Sequence, residues 1–181
     1  PAGPEAFFFR GDAGSHVIES VFGRIGIGIC YENVLCFHEK QMYEEGADIV
    51  LMPHSAPDLT PDNATGMTPA ERYALLLGVP AVMVNKCGPW KEYRFGGRST
   101  IAVADGSVKA QLRYQEGVIV ADVTLDPSSK TTEPVICNGY YAIDLPGWYK
   151  RRWAAIELTG KLFYALNPVR MAKAIKISSG E

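Results

Sequence analysis

The segment from Gly23 to Glu32 reads GRIGIGICYE, and it has the pattern of a buried strand that ends on a cysteine. Isoleucine stands at positions 25, 27 and 29, and the alternate positions hold Gly26, Gly28 and Cys30. This period of two is typical of a β-strand, and we expect its isoleucine face to enter a core. Glycine is a weak strand residue unless another group approaches the backbone closely. The other face is therefore expected to be cleared for close packing or for a ligand, and the strand ends on a cysteine beside an acid.

The composition is that of an ordinary globular chain. It has 181 residues, of which 47% are hydrophobic and 21% charged, with a net charge of -2. No apolar run approaches the roughly 20 residues that span a bilayer. The four cysteines form no CxxC pair and the histidines have no metal-ligand spacing, so the pattern predicts neither a zinc site nor a disulfide framework. We expect reduced thiols and a cytoplasmic location.

The carboxyl-terminal part of the chain differs in charge from the rest. Residues 145–181 hold seven Lys or Arg and two Glu, a charge of +5, which leaves -7 for the remainder. Aromatic and aliphatic side chains lie among these basic residues. One interpretation is an amphipathic helix on a membrane surface. We favour packing on the domain or on a partner subunit, where Arg and aromatic residues are also common.

The remaining pattern alternates helices and strands. Residues 35–45 favour a helix that Gly46 ends, residues 48–53 a buried strand, and residues 80–85 another. Thr68, Pro69 and Glu71 form a helix start with a capping box, and Gly78 ends that helix. Strands are predicted at residues 100–104, 111–114 and 117–123, with a turn at residues 105–106. This order predicts an α/β or mixed layered fold with functional residues at strand ends.

The motif order is similar to that of the carbon-nitrogen hydrolase (nitrilase) superfamily. The segments that carry the resemblance are GRIGIGICYE, ADIVLMPHSAP, ERYALLLGVPAVMVNKCG and FGGRSTIAVADGSV, within residues 5–126. The resemblance implies an α/β fold that is part of a four-layer α-β-β-α sandwich, with a C-terminal helical or extended tail. We expect residues 1–134 to be the C-terminal part of such a domain. Residues 135–181 are then an extension that packs on the domain or on a partner.

The resemblance also implies a Glu-Lys-Cys catalytic set with a second, assisting glutamate. Cys30 matches the nucleophile, and Glu5, in EAFFFRG, matches the assisting glutamate. In the family the general-base glutamate and the lysine lie upstream of Glu5. We therefore expect this chain to be inactive by itself.

The chemistry of the motif agrees with this interpretation. A thiolate is the reactive form of cysteine, and it needs a nearby base or positive charge at neutral pH. We expect the backbone N–H of Tyr31 to hold developing negative charge on the substrate, as in an oxyanion hole. Glu32 is either a second base or, as we favour, the group that fixes the turn by hydrogen bonds. His54 and Ser55 end a strand beside the site and are expected to line the pocket, although a plain loop histidine is an equal alternative.

Other polar residues are expected to be structural. Lys86 lies after the nucleophile, where the family does not place its lysine, and a solvated surface position is favoured. His16 and His38 are expected at the surface. Cys36, Cys87 and Cys137 are expected to be packing residues.

The predicted function is hydrolysis of a non-peptide C–N bond in an amide, carbamoyl group or nitrile, through a covalent intermediate on Cys30. We expect no cofactor, no metal and no nucleic-acid partner, and a membrane-surface role is disfavoured. The alternatives are acyl transfer from the same intermediate and a non-catalytic binding or assembly module. The resemblance further implies a homodimer or higher homo-oligomer that packs through the helix at residues 35–45.

Overall fold

The computed structural model describes residues 14–58, 66–91, 93–136, 138–139, 142 and 147–166. Three α-helices lie among them, α1 (Cys36–Glu44), α2 (Pro69–Leu77) and α3 (Gly147–Ala165). The strands are β1 (Val17–Ser20), β2 (Gly23–Ile27), β3 (Ile49–His54), β4 (Ala81–Asn85), β5 (Cys87–Trp90), β6 (Tyr93–Gly96), β7 (Thr100–Ala102) and β8 (Val108–Gln111). Short 3-10 helices span Cys30–Val34 and Pro127–Ser129. The expected mixed α/β fold is confirmed.

Six of the described strands form one sheet in the order β1-β2-β3-β4-β7-β8, and β5 pairs with β6 in a separate hairpin. The three strands β2, β3 and β4 run parallel, whereas β1, β7 and β8 are antiparallel to their neighbours. Leu51 on β3 pairs with Ile27 on β2, and His54 pairs with Asn85 on β4. The carboxyl ends of the parallel strands therefore meet at one edge of the sheet, and Cys30 follows the end of β2.

One face of the sheet carries the core beneath α1 and α2. Its buried residues are Met42, Ala47, Val50, Met52, Ala70, Tyr73, Ala74, Leu77, Val79, Ala81, Met83 and Ala102. Gly26 faces this side, and a Cβ there would stand 2.5 Å from the Met42 sulfur and 3.1 Å from the Ala47 Cβ. The expectation that glycine permits close packing on this face is confirmed.

The isoleucine face of β2 is not the one that packs most deeply, so that part of the prediction is wrong. Gly26 and Gly28 are buried, Ile25 and Ile27 are half-buried, and Ile29 is 56% exposed. Helices α1 and α2 lie on the glycine side, which explains the reversal. Apolar side chains of the neighbouring strands share the isoleucine face, and among them Val84 is 62% exposed.

Helix α2 agrees closely with its sequence signals. Thr68 Oγ1 accepts a hydrogen bond from the Glu71 N–H, and Glu71 Oε2 accepts one from the Thr68 N–H. Gly78 ends the helix in the left-handed region with φ +67°. Both ends of the helix therefore satisfy backbone groups that would otherwise lack partners.

Several other elements differ from the predictions. Residues 117–123 form no strand, whereas β1 and the β5–β6 hairpin form without having been predicted. Strand β8 ends at Gln111 rather than beginning there. Cys36 is disulfide-bonded, so the expectation that this thiol is reduced is wrong.

The chain divides into two compact units. One comprises Ser15–Ile143 and contains the sheet with α1 and α2; the other comprises Pro1–Gly14 and Asp144–Glu181. Helix α3 belongs to the second unit, and the expected tail is helical over this range. Along α3, the rings of Tyr149 and Trp153 meet edge to face at 5.3 Å, and Leu158 and Leu162 are 60% and 55% exposed. None of the described helices is long and apolar enough to cross a bilayer.

Candidate active site

Cys30 occupies a sharp corner at the carboxyl end of β2. The strand ends at Ile27, and Cys30 opens the Cys30–Val34 3-10 helix with φ +49°. A positive φ is uncommon for a residue other than glycine, and such strain is found where the surrounding structure fixes a functional group. The Cys30 thiol is reduced and half-buried. The corner therefore presents the sulfur in a fixed position, as a nucleophile requires.

Glu32 holds this corner through the backbone. Its Oε2 accepts a hydrogen bond of 2.7 Å from the Ile29 N–H, and its own N–H donates to the Ile29 carbonyl at 3.1 Å. Both bonds close the turn around Cys30. This geometry supports a turn-fixing role for Glu32, and its predicted contact with substrate stays a prediction.

Asn33 joins the Cys30 corner to the end of β3. Its Nδ2 donates to the Gly28 carbonyl at 2.7 Å and lies 2.9 Å from His54 Nε2, which accepts its second hydrogen. Asn33 is fully buried. A Cβ on Gly28 would stand 2.0 Å from Asn33 Oδ1 and 2.6 Å from His38 Cε1, so only glycine leaves room for this amide.

A buried ion pair between α1 and α2 supports the Cys30 corner. Arg72 on α2 pairs with Glu39 on α1, whose side chain is 2% exposed. The other end of the Arg72 guanidinium donates a hydrogen bond of 2.6 Å to the Asn33 carbonyl, and the ring of Tyr73 lies 5.0 Å from its Cζ. Arg72 thus connects both helices to the segment that follows Cys30.

The predicted pocket residues differ in their burial and in their contacts with the Cys30 corner. His54 contacts the Cys30–Val34 segment through Asn33, and burial lowers its pKa to about 4, so the ring is neutral at pH 7. Ser55 is exposed. Tyr31 is half-buried next to Cys30, and the role of its amide stays a prediction. Glu5 lies outside the described residues.

At the end of β4 lies a second set of polar residues. Lys86 is exposed and its Nζ lies 5.3 Å from the Phe95 ring centre, in agreement with a surface position. Asn85 accepts from the Ala56 N–H and donates to the Gly97 carbonyl, which makes it a connector of loops. An open cavity of about 420 Å³ lies beside it and is lined by neither Cys30 nor His54.

His38 is buried, so its prediction as a surface residue is wrong. Its ring has no exposed area, and its Nδ1 lies 2.9 Å from the Tyr73 hydroxyl. His16 is half-buried and its ring meets that of His38 edge to face at 4.9 Å. Burial, and next the charge of His16, lower the pKa of His38 to about 4.

Sequence reasoning missed Asn33, His38, Glu39 and Arg72. Each is polar, and the periodicity of α1 and α2 does not distinguish a buried polar residue from an exposed one. Arg72 follows the capping box of α2 directly, where a charged side chain is ordinary on a solvated face. No signal in the sequence pairs it with Glu39, 33 positions away.

Comparison with solved structures identifies the fold. Three similar structures are a carbon-nitrogen hydrolase from Helicobacter pylori (22% identity, TM-score 0.56), Saccharomyces cerevisiae Nit3 of the nitrilase superfamily (22%, 0.55) and a variant of an amidase from Nesterenkonia sp. (22%, 0.54). The matches cover 65%, 65% and 64% of this chain and 46%, 43% and 44% of those chains. The chain therefore spans less than half the length of each, and at these identities the similarity shows the fold alone.

The family is established by the sequence itself. A search of curated proteins found no match. The sequence profile of the carbon-nitrogen hydrolases matches residues 4–132, which is the N-terminal part of this chain and well over half of its length. The match includes the corner at Cys30, Glu32 and His54. The chain belongs to the carbon-nitrogen hydrolase family.

Proposed function

We propose that the protein containing this chain hydrolyses a non-peptide C–N bond through a covalent intermediate on Cys30. The observation that carries the proposal is the position of Cys30: a half-buried, reduced thiol in the left-handed region, at the carboxyl end of a central strand. Family membership supplies the class of bond. The substrate is then a small amide, carbamoyl compound or nitrile.

The proposed reaction has two steps. The Cys30 thiolate attacks the substrate carbon, the C–N bond of an amide breaks, and the nitrogen leaves with a proton from a general acid. Water then attacks the thioester carbon and releases the carboxylic acid and the thiol. Negative charge gathers on the substrate oxygen in both steps, and we assign the Tyr31 N–H to stabilise it. Glu5 is proposed to assist at the substrate or at the attacking water.

A structure of the Nesterenkonia amidase variant supports this role for a cysteine. That protein shows covalent addition of the acetamide moiety of fluoroacetamide at its active-site cysteine. We propose that Cys30 reacts in the same way. Cys87 provides a reference thiol, because it is also reduced and half-buried but lies on the β5–β6 hairpin.

Mass spectrometry of the full-length protein after fluoroacetamide treatment tests the proposal. We expect the adduct on the peptide with Cys30, its loss in Cys30→Ser, and its retention in Cys87→Ser. Ammonia release from a panel of small amides and nitriles should disappear in Cys30→Ser. Labelling of Cys87 with Cys30 untouched would refute the assignment. Transfer of the acyl group to an added amine in preference to water would make the protein an acyltransferase.

We further propose that these 181 residues do not turn over substrate by themselves. The resemblance implies that Cys30 acts with a glutamate and a lysine, and it places both upstream of Glu5. Loss of members of a catalytic set typically costs a factor of about 10⁴ or more in rate. The test compares the 181 residues with the same chain joined to the upstream part that its relatives have, and comparable activity in both would refute the proposal.

Association through α1 is a proposal that rests on the resemblance. The exposed side of α1 carries Phe37, which is 57% exposed, and we propose that a second subunit covers it. The extension at residues 135–181 is proposed to pack on the domain or on that subunit. Light scattering should show Phe37→Glu shifted towards the monomer, with Lys109→Ser, at an exposed position on β8, unchanged. A wild-type monomer at micromolar concentration would contradict the proposal.

A further inference from the structure

Three potential metal ligands converge behind the Cys30 corner. His16 precedes β1, Glu32 lies in the Cys30–Val34 helix and His38 lies on α1. One donor atom from each lies within 4.8 Å of the donors of the other two. The three come from separate elements, which is why spacing along the sequence predicted no such site.

The ring of His38 adds an independent observation. Its Nε2 is buried and makes no hydrogen bond of ordinary geometry among the residues that the structure describes, although the Ile27 backbone lies close enough to the ring to interact with it. A buried polar atom without a partner is costly and calls for an explanation, such as a bound ion. The other ring nitrogen, Nδ1, is held by the Tyr73 hydroxyl at 2.9 Å. When Nδ1–H donates to that oxygen, Nε2 carries a lone pair, which is the arrangement of a metal-binding histidine with an outer partner.

We propose that His16, Glu32 and His38 bind a Zn²⁺ ion. Two imidazole nitrogens and one carboxylate oxygen are a donor set that zinc prefers, and three protein ligands leave one tetrahedral position for water. The site shares Glu32 with the Cys30 corner, but zinc binding does not require the proposed chemistry of Cys30.

The three donor atoms need to move only a short distance to bind one zinc ion. Zinc bonds of about 2.0–2.2 Å in a tetrahedron place the ligand atoms about 3.4 Å apart, so donors within 4.8 Å must approach by up to roughly 1.4 Å. Glu32 is held by the Ile29 N–H and His38 by Tyr73. His16 stands at a bend outside the strand and is half-buried, so its side chain supplies the movement.

Charge also favours the site. Glu32 contributes the negative charge that partly compensates the ion.

Zinc titration of metal-stripped protein tests the proposal. Thiols also bind zinc, so the background is the Cys30→Ser, Cys87→Ser variant, and Zn²⁺ alone is the probe in calorimetry and in elemental analysis after desalting. We expect one zinc per chain, with affinity at least about 10-fold lower in His16→Ala. Tyr73→Phe, which frees His38 Nδ1, should lower affinity by about 10–100-fold. His54→Gln, outside the cluster, should bind as the background does.

A second measurement covers the case in which a variant fails to fold. Co²⁺ bound to the Cys30→Ser, Cys87→Ser background should give the visible bands of a tetrahedral nitrogen and oxygen site. Absence of stoichiometric zinc, zinc affinity unchanged in folded His16→Ala, or Co²⁺ absorption without tetrahedral bands would each overturn the proposal.

Discussion

At the scale of single residues, the amide of Asn33 holds the Cys30 corner to the end of β3. Replacing it by alanine leaves the Gly28 carbonyl and His54 Nε2 without their donor. We expect Asn33→Ala to lower the free energy of unfolding by about 1–3 kcal/mol. Labelling of Cys30 should slow as well, because the corner loses its fixed position. The control is Asn138→Ala, at an exposed asparagine, which should change neither urea denaturation nor the labelling rate.

The two buried histidines make stability depend on pH. The pKa values of His38 and His54 fall from 6.5 to about 4 on folding, so the unfolded chain binds more protons between these values. Stability is complete above about pH 6.5 and is lost as the pH falls towards 4. We expect protonation of each histidine to lower the free energy of unfolding by about 2 kcal/mol between pH 7 and pH 5.

Urea denaturation at several pH values, with chelator present, measures this dependence. His54→Gln should remove about half of the loss, because His38 is then the remaining histidine whose pKa is lowered on folding. Equal stability of the wild type at pH 7 and pH 5 would show that the two rings are protonated as easily in the folded state as in the unfolded one.

Cys30 was predicted from the end of its strand together with the family resemblance, and its role stays a prediction. The turn-fixing role of Glu32 was predicted from its place beyond the turn, and its hydrogen bond to the Ile29 N–H supports it. Asn33, Arg72 and His38 act through partners on other elements, and their contacts exist only after α1 and α2 pack. The zinc cluster could not be read from the sequence for the same reason.

At the scale of elements, the fit of β2 against α1 depends on Gly28. A Cβ there would overlap Asn33 Oδ1 and His38 Cε1. Overpacking of this kind typically costs about 1–3 kcal/mol, so Gly28→Ala should destabilise the protein by that amount. Gly66→Ala is the matched control, since a Cβ there has no neighbour within 4 Å. Equal thermal stability of the two variants would refute the proposed fit.

Variants of the ion pair between α1 and α2 distinguish an effect on stability from an effect on the position of Cys30. Arg72→Met leaves Glu39 buried without its partner and should cost about 3–5 kcal/mol. The double variant Arg72→Met, Glu39→Met should recover much of that loss, because two apolar side chains replace two charges.

The reactivity of Cys30 should not recover in parallel, since the Asn33 carbonyl still lacks the Arg72 donor. Denaturation curves and fluoroacetamide labelling rates of the same variants provide the comparison. Full recovery of both quantities would make the ion pair purely structural.

The elements that were predicted well have start and stop signals within their own sequence. Helix α2 has a capping box and a left-handed glycine, and its observed range follows from them. By contrast, residues 117–123 are rich in valine and isoleucine but pair with no strand in the described part of the chain. Strand β1 was missed although β2 follows it after two residues, because Val21 and Phe22 between them lack the Asn-Gly or Asp-Gly signal of a two-residue turn.

At the scale of the whole molecule, the isoleucine face of the sheet is only partly buried. Val84 on β4 lies on this face and is 62% exposed. Exposed apolar sheet surface favours association. We expect the 181 residues alone to bind a hydrophobic dye and to self-associate. Val84→Lys should reduce both, whereas Val118→Lys should not, because Val118 is 88% exposed outside any strand. An equal response to the two substitutions would show that this face of the sheet does not cause the dye binding and the self-association.

The strand order has a consequence for how the unit assembles. Along the sheet the strands follow the order of the chain, and only the β5–β6 hairpin is inserted between neighbours. Each new strand therefore docks on one already in place after closure of a loop of modest length, a step with a small entropic cost. We expect the described part of the sheet to form in the direction of synthesis, from β1 to β8, because each of its strands after β1 pairs with one that precedes it in the chain. The corner at Cys30 is then formed early, once β3 and α2 have joined it, and before the last two strands complete the edge.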